Sequence, residues 1–157
     1  YLLGEGILSK NDTTDSAIDA IATGCYEDAR KSVEAAKATL DVLSARYPMV
    51  LVSNFYGNIQ AVLDDFKLTS YFPVVIESAV VGVRKPDPAI FRLGVEALAL
   101  QPEEVVVIGD SYRKDIQPAQ SLGCDTIWIK GAGWDDSEAA VQHDKIITDI
   151  AQLQELL

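Results

Sequence analysis

The sequence predicts an α/β fold, a mostly parallel sheet flanked by helices, and three observations carry that expectation. Val105, Val106, Val107 and Ile108 are four consecutive β-branched apolar residues, the signature of a strand buried on both faces, as in parallel sheets. Runs of this kind alternate with segments of helical periodicity through the carboxyl-terminal two thirds of the chain, which implies right-handed crossovers onto a parallel sheet. The run at 105–108 is closed by Gly109 and Asp110, so a carboxylate stands at the carboxyl tip of a strand, where open α/β sheets bind their ligands.

Taken in order, residues 1–16 carry little pattern beyond the turn formers Gly4, Gly6, Asn11, Asp12, Thr13 and Thr14, with a helix start at 12–14. From residue 17 to about residue 46, Ile18, Ile21, Cys25, Ala29, Val33, Ala36, Leu40 and Leu43 keep helical spacing, and Gly24 weakens the middle enough to allow two helices in place of one. No chemistry is assigned there. Residues 48–54 (PMVLVSN) form the first clear strand and feed a helix over 58–66. A strand tip leading into a helix suits anions, because free backbone N–H groups and the helix dipole point outward. Ser53 can donate its hydroxyl there, although taken alone it reads as a turn or cap serine.

A weaker strand is expected at 72–76, followed by the RKPDP segment. Pro86 biases Lys85 towards an extended conformation, and Asp87-Pro88 opens a helix over 88–98 with Asp at the N-cap and Pro at N1. Lys85 is thereby held on a stiff loop, though most lysines are simply solvated. After the strand at 105–110, a short helix over 115–122 is closed by Gly123, and 125–129 (DTIWI) forms the next strand. Gly131, Gly133 and Trp134 make a loop in which Trp134 either packs under the site or lines it, packing being the expectation. Residues 145–147 read as an edge strand, and 150–157 as a closing helix. His143 is the one histidine; with no cysteine or second histidine near it, no metal or catalytic role is expected.

At 157 residues, 48% of them apolar, the chain can bury one core and a small appendage. It has no apolar run long enough to span a bilayer and no amino-terminal pattern of a signal peptide. Cys25 and Cys124 match no metal spacing and read as buried or half-buried small hydrophobes, not a disulfide, in a reducing, cytoplasmic setting. A net charge of −11 argues against nucleic acid or an anionic membrane as partner. It leaves room for a small phosphorylated substrate, since a metal and one placed lysine set the local field. Asp110 and Asp115 can converge as hard oxygen ligands for Mg²⁺. On this stretch alone, a helix-capping Asp110 and a solvated Asp115 weigh equally. The chain opens on Tyr1, not Met, which suggests a start inside a longer protein or after processing.

Three separated features stand in order: a strand ending in Ser53-Asn54, Lys85 within RKPDP, and a strand ending in GDSYRKD. With the connecting text VSNFYGN, YFPVVIESAVVGVRKPDPAIF and GDSYRKDIQPAQSLGCDTIWI, the chain resembles the haloacid dehalogenase-like hydrolase superfamily over about residues 33–129. Most members are phosphatases that act through an aspartyl-phosphate on a Rossmann-like core. The resemblance implies that Ser53 bonds the transferring phosphoryl group with Asn54 close by, and that Lys85 neutralises charge on phosphate and nucleophile. Asp110 is implied as a Mg²⁺ ligand, and Asp115 as the second acid binding or orienting the Mg²⁺ shell. Residues 1–36 are implied to be the remnant of a helical cap, and 37–157 the core.

The family's first motif, Asp-x-Asp-x-Thr or Val at the end of the first strand, has no counterpart in these residues. The nucleophile is therefore expected upstream of Tyr1, and this chain alone is expected to be inactive. The missing strand belongs between those ending at Ser53 and Asp110, so self-association or a bound amino-terminal fragment is expected as well. Two other readings stand beside the Mg²⁺-dependent phosphatase of a small metabolite. One is a non-catalytic phosphate-binding or regulatory module; the other is a haloacid dehalogenase, which the paired acids disfavour because those enzymes need no metal.

Overall fold

The computed structural model of the protein describes residues 12–131 and 140–157. Gly4, Gly6, Asn11, Gly133 and Trp134, singled out above, lie outside the described residues. The chain divides into two units, residues 1–37 and 38–157. In the first, all described residues belong to α1 (Asp12–Arg46), one helix of 35 residues. Gly24 therefore does not split it. Its cost of about 1 kcal/mol is offset by nearby alanines and by ion pairs one turn apart, Glu27–Arg30 (2.8 Å), Asp28–Lys31 (3.4 Å) and Glu34–Lys37 (2.8 Å), each with the acid on the amino-terminal side. Ile18, Ile21 and Cys25 are exposed, against the expectation of burial for Cys25. Within their own unit the described residues form a single helix, which offers them nothing to pack on.

The second unit is α/β, as the sequence predicts. After the end of α1 come β1 (Val50–Ser53), α2 (Ile59–Asp65), β2 (Val74–Glu77), α3 (Ser78–Val81) and α4 (Ala89–Leu98). Then follow β3 (Val106–Gly109), α5 (Gln117–Ser121), β4 (Asp125–Ile129), β5 (Ile146–Ile147) and α6 (Leu153–Leu156). Every strand pair is parallel, with Ser53 opposite Glu77 in β1–β2 and Gly109 opposite Trp128 in β3–β4. The strands form two sheets, β1-β2 and β3-β4-β5, and β1 is not hydrogen-bonded to β3. This corrects one expectation: all four residues of β3 are half-buried, not fully buried on both faces, and among the described residues β3 has a paired neighbour along one edge, β4. A shared apolar interior joins the sheets. Val107 of β3 packs with Ile76, Ile90 and Phe91, and also with Val95, Ala119 and Cys124, while Leu43, Ile127, Ile147 and Leu153 make a further cluster.

Element ends shift by local hydrogen bonding. α4 begins at Ala89 with Pro88 at its N-cap, one residue later than expected, and the Asp87 carboxylate accepts the Ala89 N–H at 2.9 Å. The helix expected over 115–122 starts instead as a π turn, Tyr112–Ile116, before α5. The Ser111 carbonyl accepts from both Asp115 N–H (2.8 Å) and Ile116 N–H (3.3 Å), which widens that turn. Gly123, at φ +93°, ends the segment as expected. The closing helix is a 3-10 turn (Ile150–Gln152) followed by α6.

Candidate active site

Four of the five residues singled out by sequence stand at or just beyond the carboxyl ends of β1 and β3. Ser53 is the last residue of β1, and Asn54 follows it. Asp110 follows Gly109, the last residue of β3, and is exposed to solvent. Asp115 folds back from the π turn against that same strand end and is 4% exposed. The fifth, Lys85, arrives on the loop between α3 and α4, and its Nζ donates to Asp115 Oδ1 at 2.7 Å. This pair unites two segments thirty residues apart, with the lysine side chain 17% and the aspartate side chain 5% exposed.

The lysine is seated from three sides. Its backbone is clasped by the Asn54 carboxamide: Lys85 N–H donates to Asn54 Oδ1 (2.8 Å) and Asn54 Nδ2 donates to Lys85 C=O (3.1 Å). Its ammonium lies 5.5 Å from the centre of the buried Phe91 ring, on the face that attracts cations. The Lys85–Pro86 peptide is cis. In the structure the Asn54 carboxamide seats the Lys85 backbone.

Asp115 is held as closely. Its Oδ2 accepts the Ser111 N–H at 3.1 Å, so both carboxylate oxygens have donors. A Cβ on Gly109 would lie 2.3 Å from Asp115 Cβ and 2.6 Å from its Cγ; the acid lies where only a glycine lets a side chain meet the strand. Chemically, the site combines one exposed and one buried carboxylate, a partly covered ammonium and a strand-tip hydroxyl. Two carboxylates fit Mg²⁺, which takes one or two protein carboxylates and completes its shell with water and phosphate oxygens. Among the described residues there is no group of three or more His, Cys, Asp or Glu side chains arranged to hold a metal unaided.

Sequence reasoning missed three contributors. Glu77, at the tip of β2 and 6% exposed, accepts the Gly57 N–H at 2.5 Å, and Ser78 Oγ accepts the Phe55 N–H at 3.2 Å. Together they tie down the loop that leaves Ser53. A carboxylate ending the apolar run VVIE was the available signal. Trp128 was the third: its indole N–H donates to the Asp110 carbonyl at 3.0 Å, which nothing in DTIWI announces. His143 has structural partners, its Nε2 2.8 Å from Thr126 Oγ1 and its Nδ1 accepting the Lys145 N–H at 3.0 Å. A cavity of about 200 Å³ beside it is lined by Tyr112, Gln120, Thr126 and Lys145 among others, and by none of Ser53, Lys85, Asp110 or Asp115.

Comparison with known proteins agrees with this fold. Residues 5–123 match the sequence profile of the haloacid dehalogenase-like hydrolases. A glyceraldehyde 3-phosphate phosphatase of Pyrococcus furiosus is 36% identical over 93 residues, 58% of this chain and 39% of that protein. The mouse haloacid dehalogenase-like hydrolase domain-containing protein 3 is 30% identical over 145 residues, 87% of this chain and 58% of that protein. The crystal structure of a HAD phosphatase from Thermococcus onnurineus superposes with a TM-score of 0.64 at 28% identity, over 80% of this chain and 54% of that one. The chain thus spans between about four tenths and six tenths of these relatives.

Proposed function

The chain belongs to the haloacid dehalogenase-like hydrolase family, and on that premise we propose that it carries the phosphate- and metal-holding part of a Mg²⁺-dependent phosphatase of a small phosphorylated metabolite. The observation that carries the reading is the Lys85–Asp115 pair, 2.7 Å long, lodged against Gly109 beside the exposed Asp110. Phosphoryl transfer asks chiefly for positioning and for charge stabilisation around the equatorial oxygens. Lys85 supplies positive charge from a fixed seat, and the Ser53 hydroxyl donates to a phosphate oxygen. Asp110 and Asp115 hold and orient Mg²⁺, which when bound neutralises charge on the phosphoryl group. Phosphatase names among the relatives and the paired acids favour this reading over dehalogenation.

The nucleophile of this route is a carboxylate in an Asp-x-Asp motif, and the 157 residues contain none. Loss of a nucleophile costs on the order of 10⁶ in turnover in another hydrolase class, so this chain alone is proposed to be inactive. We assign residues 1–36 to the remnant of a helical cap. The β1 and β3 edges, each unpaired among the described residues on the side away from its sheet partner, are proposed to take an extended strand from an amino-terminal fragment or from a second copy of the chain. With a net charge of −11, two free cysteines and no described helix long and apolar enough to cross a membrane, neither nucleic acid nor a membrane is proposed as partner, and the setting proposed is cytoplasmic.

The test is phosphate release from sugar phosphates, phosphoglycolate and nucleotides with and without Mg²⁺. It compares the 157-residue chain with the same chain preceded by a strand ending in Asp-x-Asp. Turnover only in the second, dependent on Mg²⁺ and lost in Lys85→Met, is expected. Turnover by the chain alone would contradict its proposed inactivity. Halide release from a 2-haloacid without metal would favour the dehalogenase, and phosphate binding without turnover in either form the binding module. Sedimentation of the chain as a monodisperse 17.0 kDa monomer would count against the strand-accepting edges.

A further inference from the structure

We propose that Trp128 is a positioning residue for the acidic site: it sets the plane of the Asp110–Ser111 peptide and, through that peptide, the placement of Asp110 and Asp115. Trp128 is 2% exposed and stands on β4 directly opposite Gly109, the last residue of β3. Beyond Gly109 the β3–β4 ladder stops, so among the described residues the Asp110 carbonyl has no strand partner. The Trp128 indole N–H takes that place, donating to it at 3.0 Å. A buried indole N–H needs an acceptor, and here the acceptor is the backbone of a site residue.

The other end of the same peptide reaches the second acid. Ser111 N–H donates to Asp115 Oδ2 at 3.1 Å. In a planar trans peptide the C=O and N–H point in opposite directions, so holding the Asp110 carbonyl against the indole aims the Ser111 N–H at Asp115. Asp115 Oδ1 in turn accepts from Lys85 Nζ at 2.7 Å, and the Asn54 carboxamide holds the Lys85 backbone. One peptide unit thus links a buried aromatic donor to the lysine–aspartate pair. The plane of that peptide also defines the ψ torsion of Asp110, and with it the course of the chain that carries the exposed carboxylate. The indole is fixed by the Tyr112 ring, 5.5 Å away at 57°, and by the Lys130 ammonium, 4.7 Å from its ring centre. A residue needed only for volume would gain nothing from the N–H; this geometry uses it.

The catalytic meaning of this inference rests on the reading of Asp110 and Asp115 given above, so two readouts are taken on the 157-residue chain. Two variants are compared, Trp128→Phe and a chain with benzothienylalanine at position 128, which keeps the ring size and removes only the N–H. The first readout is amide hydrogen exchange in the absence of metal. Ser111 is expected to exchange about tenfold faster in both variants, with the β1–β2 amides unchanged. The second is Mg²⁺ titration by calorimetry, with binding expected to weaken about tenfold, as for other groups that orient metal ligands. Unaltered Ser111 exchange in the benzothienylalanine chain overturns the proposal and leaves Trp128 as core packing. If the unsubstituted chain binds no Mg²⁺, the metal reading fails, and the exchange result still decides the role of Trp128.

Discussion

At position 109 even a methyl group is too large. Its Cβ would fall 2.3 Å from the Cβ of Asp115, an atom fixed by the backbone of the π turn and unable to swing aside. Gly109→Ala should therefore destabilise the protein by about 1–3 kcal/mol, the usual cost of overpacking, read as a lower midpoint in urea unfolding. An unchanged midpoint would mean that the turn carrying Asp115 yields easily. The lysine–aspartate pair makes a sharper case. Removing one partner of a buried pair costs about 3–5 kcal/mol because the other charge is stranded. Lys85 retains some contact with water, which places Lys85→Met at the lower end, about 3 kcal/mol. The double variant Lys85→Met, Asp115→Asn should recover about 1–3 kcal/mol of that loss; strict additivity in a double-mutant cycle would show that the two do not interact. At this scale the sequence marked Lys85, Asp110 and Asp115 through their motifs. It could not mark Trp128 or the clasp of Asn54 on Lys85, since those bonds join positions 18 and 31 residues apart.

Between elements, β5 is attached to β4 by a two-residue ladder and by a side-chain pair, Lys145 Nζ donating to Asp125 Oδ2. That hydrogen bond is the main cause of the lowered pKa of Asp125, against the opposing effect of desolvation. A lowered folded-state pKa stabilises the fold above the unfolded value, about 3.9 for aspartate, and the stabilisation is lost as pH falls through the folded value. Both side chains are nearly half-exposed, so solvent screening keeps the contribution below about 1 kcal/mol. Asp125→Asn should lower the melting temperature slightly at neutral pH, and the difference from the unsubstituted chain should shrink as pH falls below the unfolded aspartate value and vanish once Asp125 is protonated in the folded state. A difference that persists in acid would assign the effect to packing. Element identity was legible here from short apolar runs and turn formers, and β4 occupies the span expected for it. Boundaries were less so: Asp87, Ser111 and Asp149 each redirect the first turn of the segment after them through a local hydrogen bond that competes with helix geometry.

For the molecule as a whole, the two cysteines report on different things. Cys25 is exposed on α1, while Cys124 is buried among Val95, Ala119, Val105 and Leu122. Burial, with a smaller contribution from Glu103, pushes the Cys124 thiol above its ordinary pKa and further from the reactive thiolate. Iodoacetamide under native conditions should modify Cys25 promptly and Cys124 only through opening of the core, which peptide mass mapping will resolve. Equal labelling of both thiols would mean that this core cluster opens freely. The same scale holds the separation of β1-β2 from β3-β4-β5. Two strands that carry site residues share an apolar interior through Val107 yet exchange no ladder hydrogen bonds.

By itself the sequence determined the α/β alternation, the parallel sense of the strands, the family, and the positions of Ser53, Lys85, Asp110 and Asp115. Each of these is written in local pattern: β-branched runs, turn residues at strand tips and a proline-stiffened loop. Only the tertiary structure decided that α1 runs unbroken through Gly24 and that β3 is covered along one edge. It likewise decided that Asn54 seats Lys85, and that one peptide group stands between Trp128 and Asp115. The physical reason is range. Propensity and periodicity act within a few residues, whereas burial and hydrogen-bond partners depend on what the rest of the chain brings alongside.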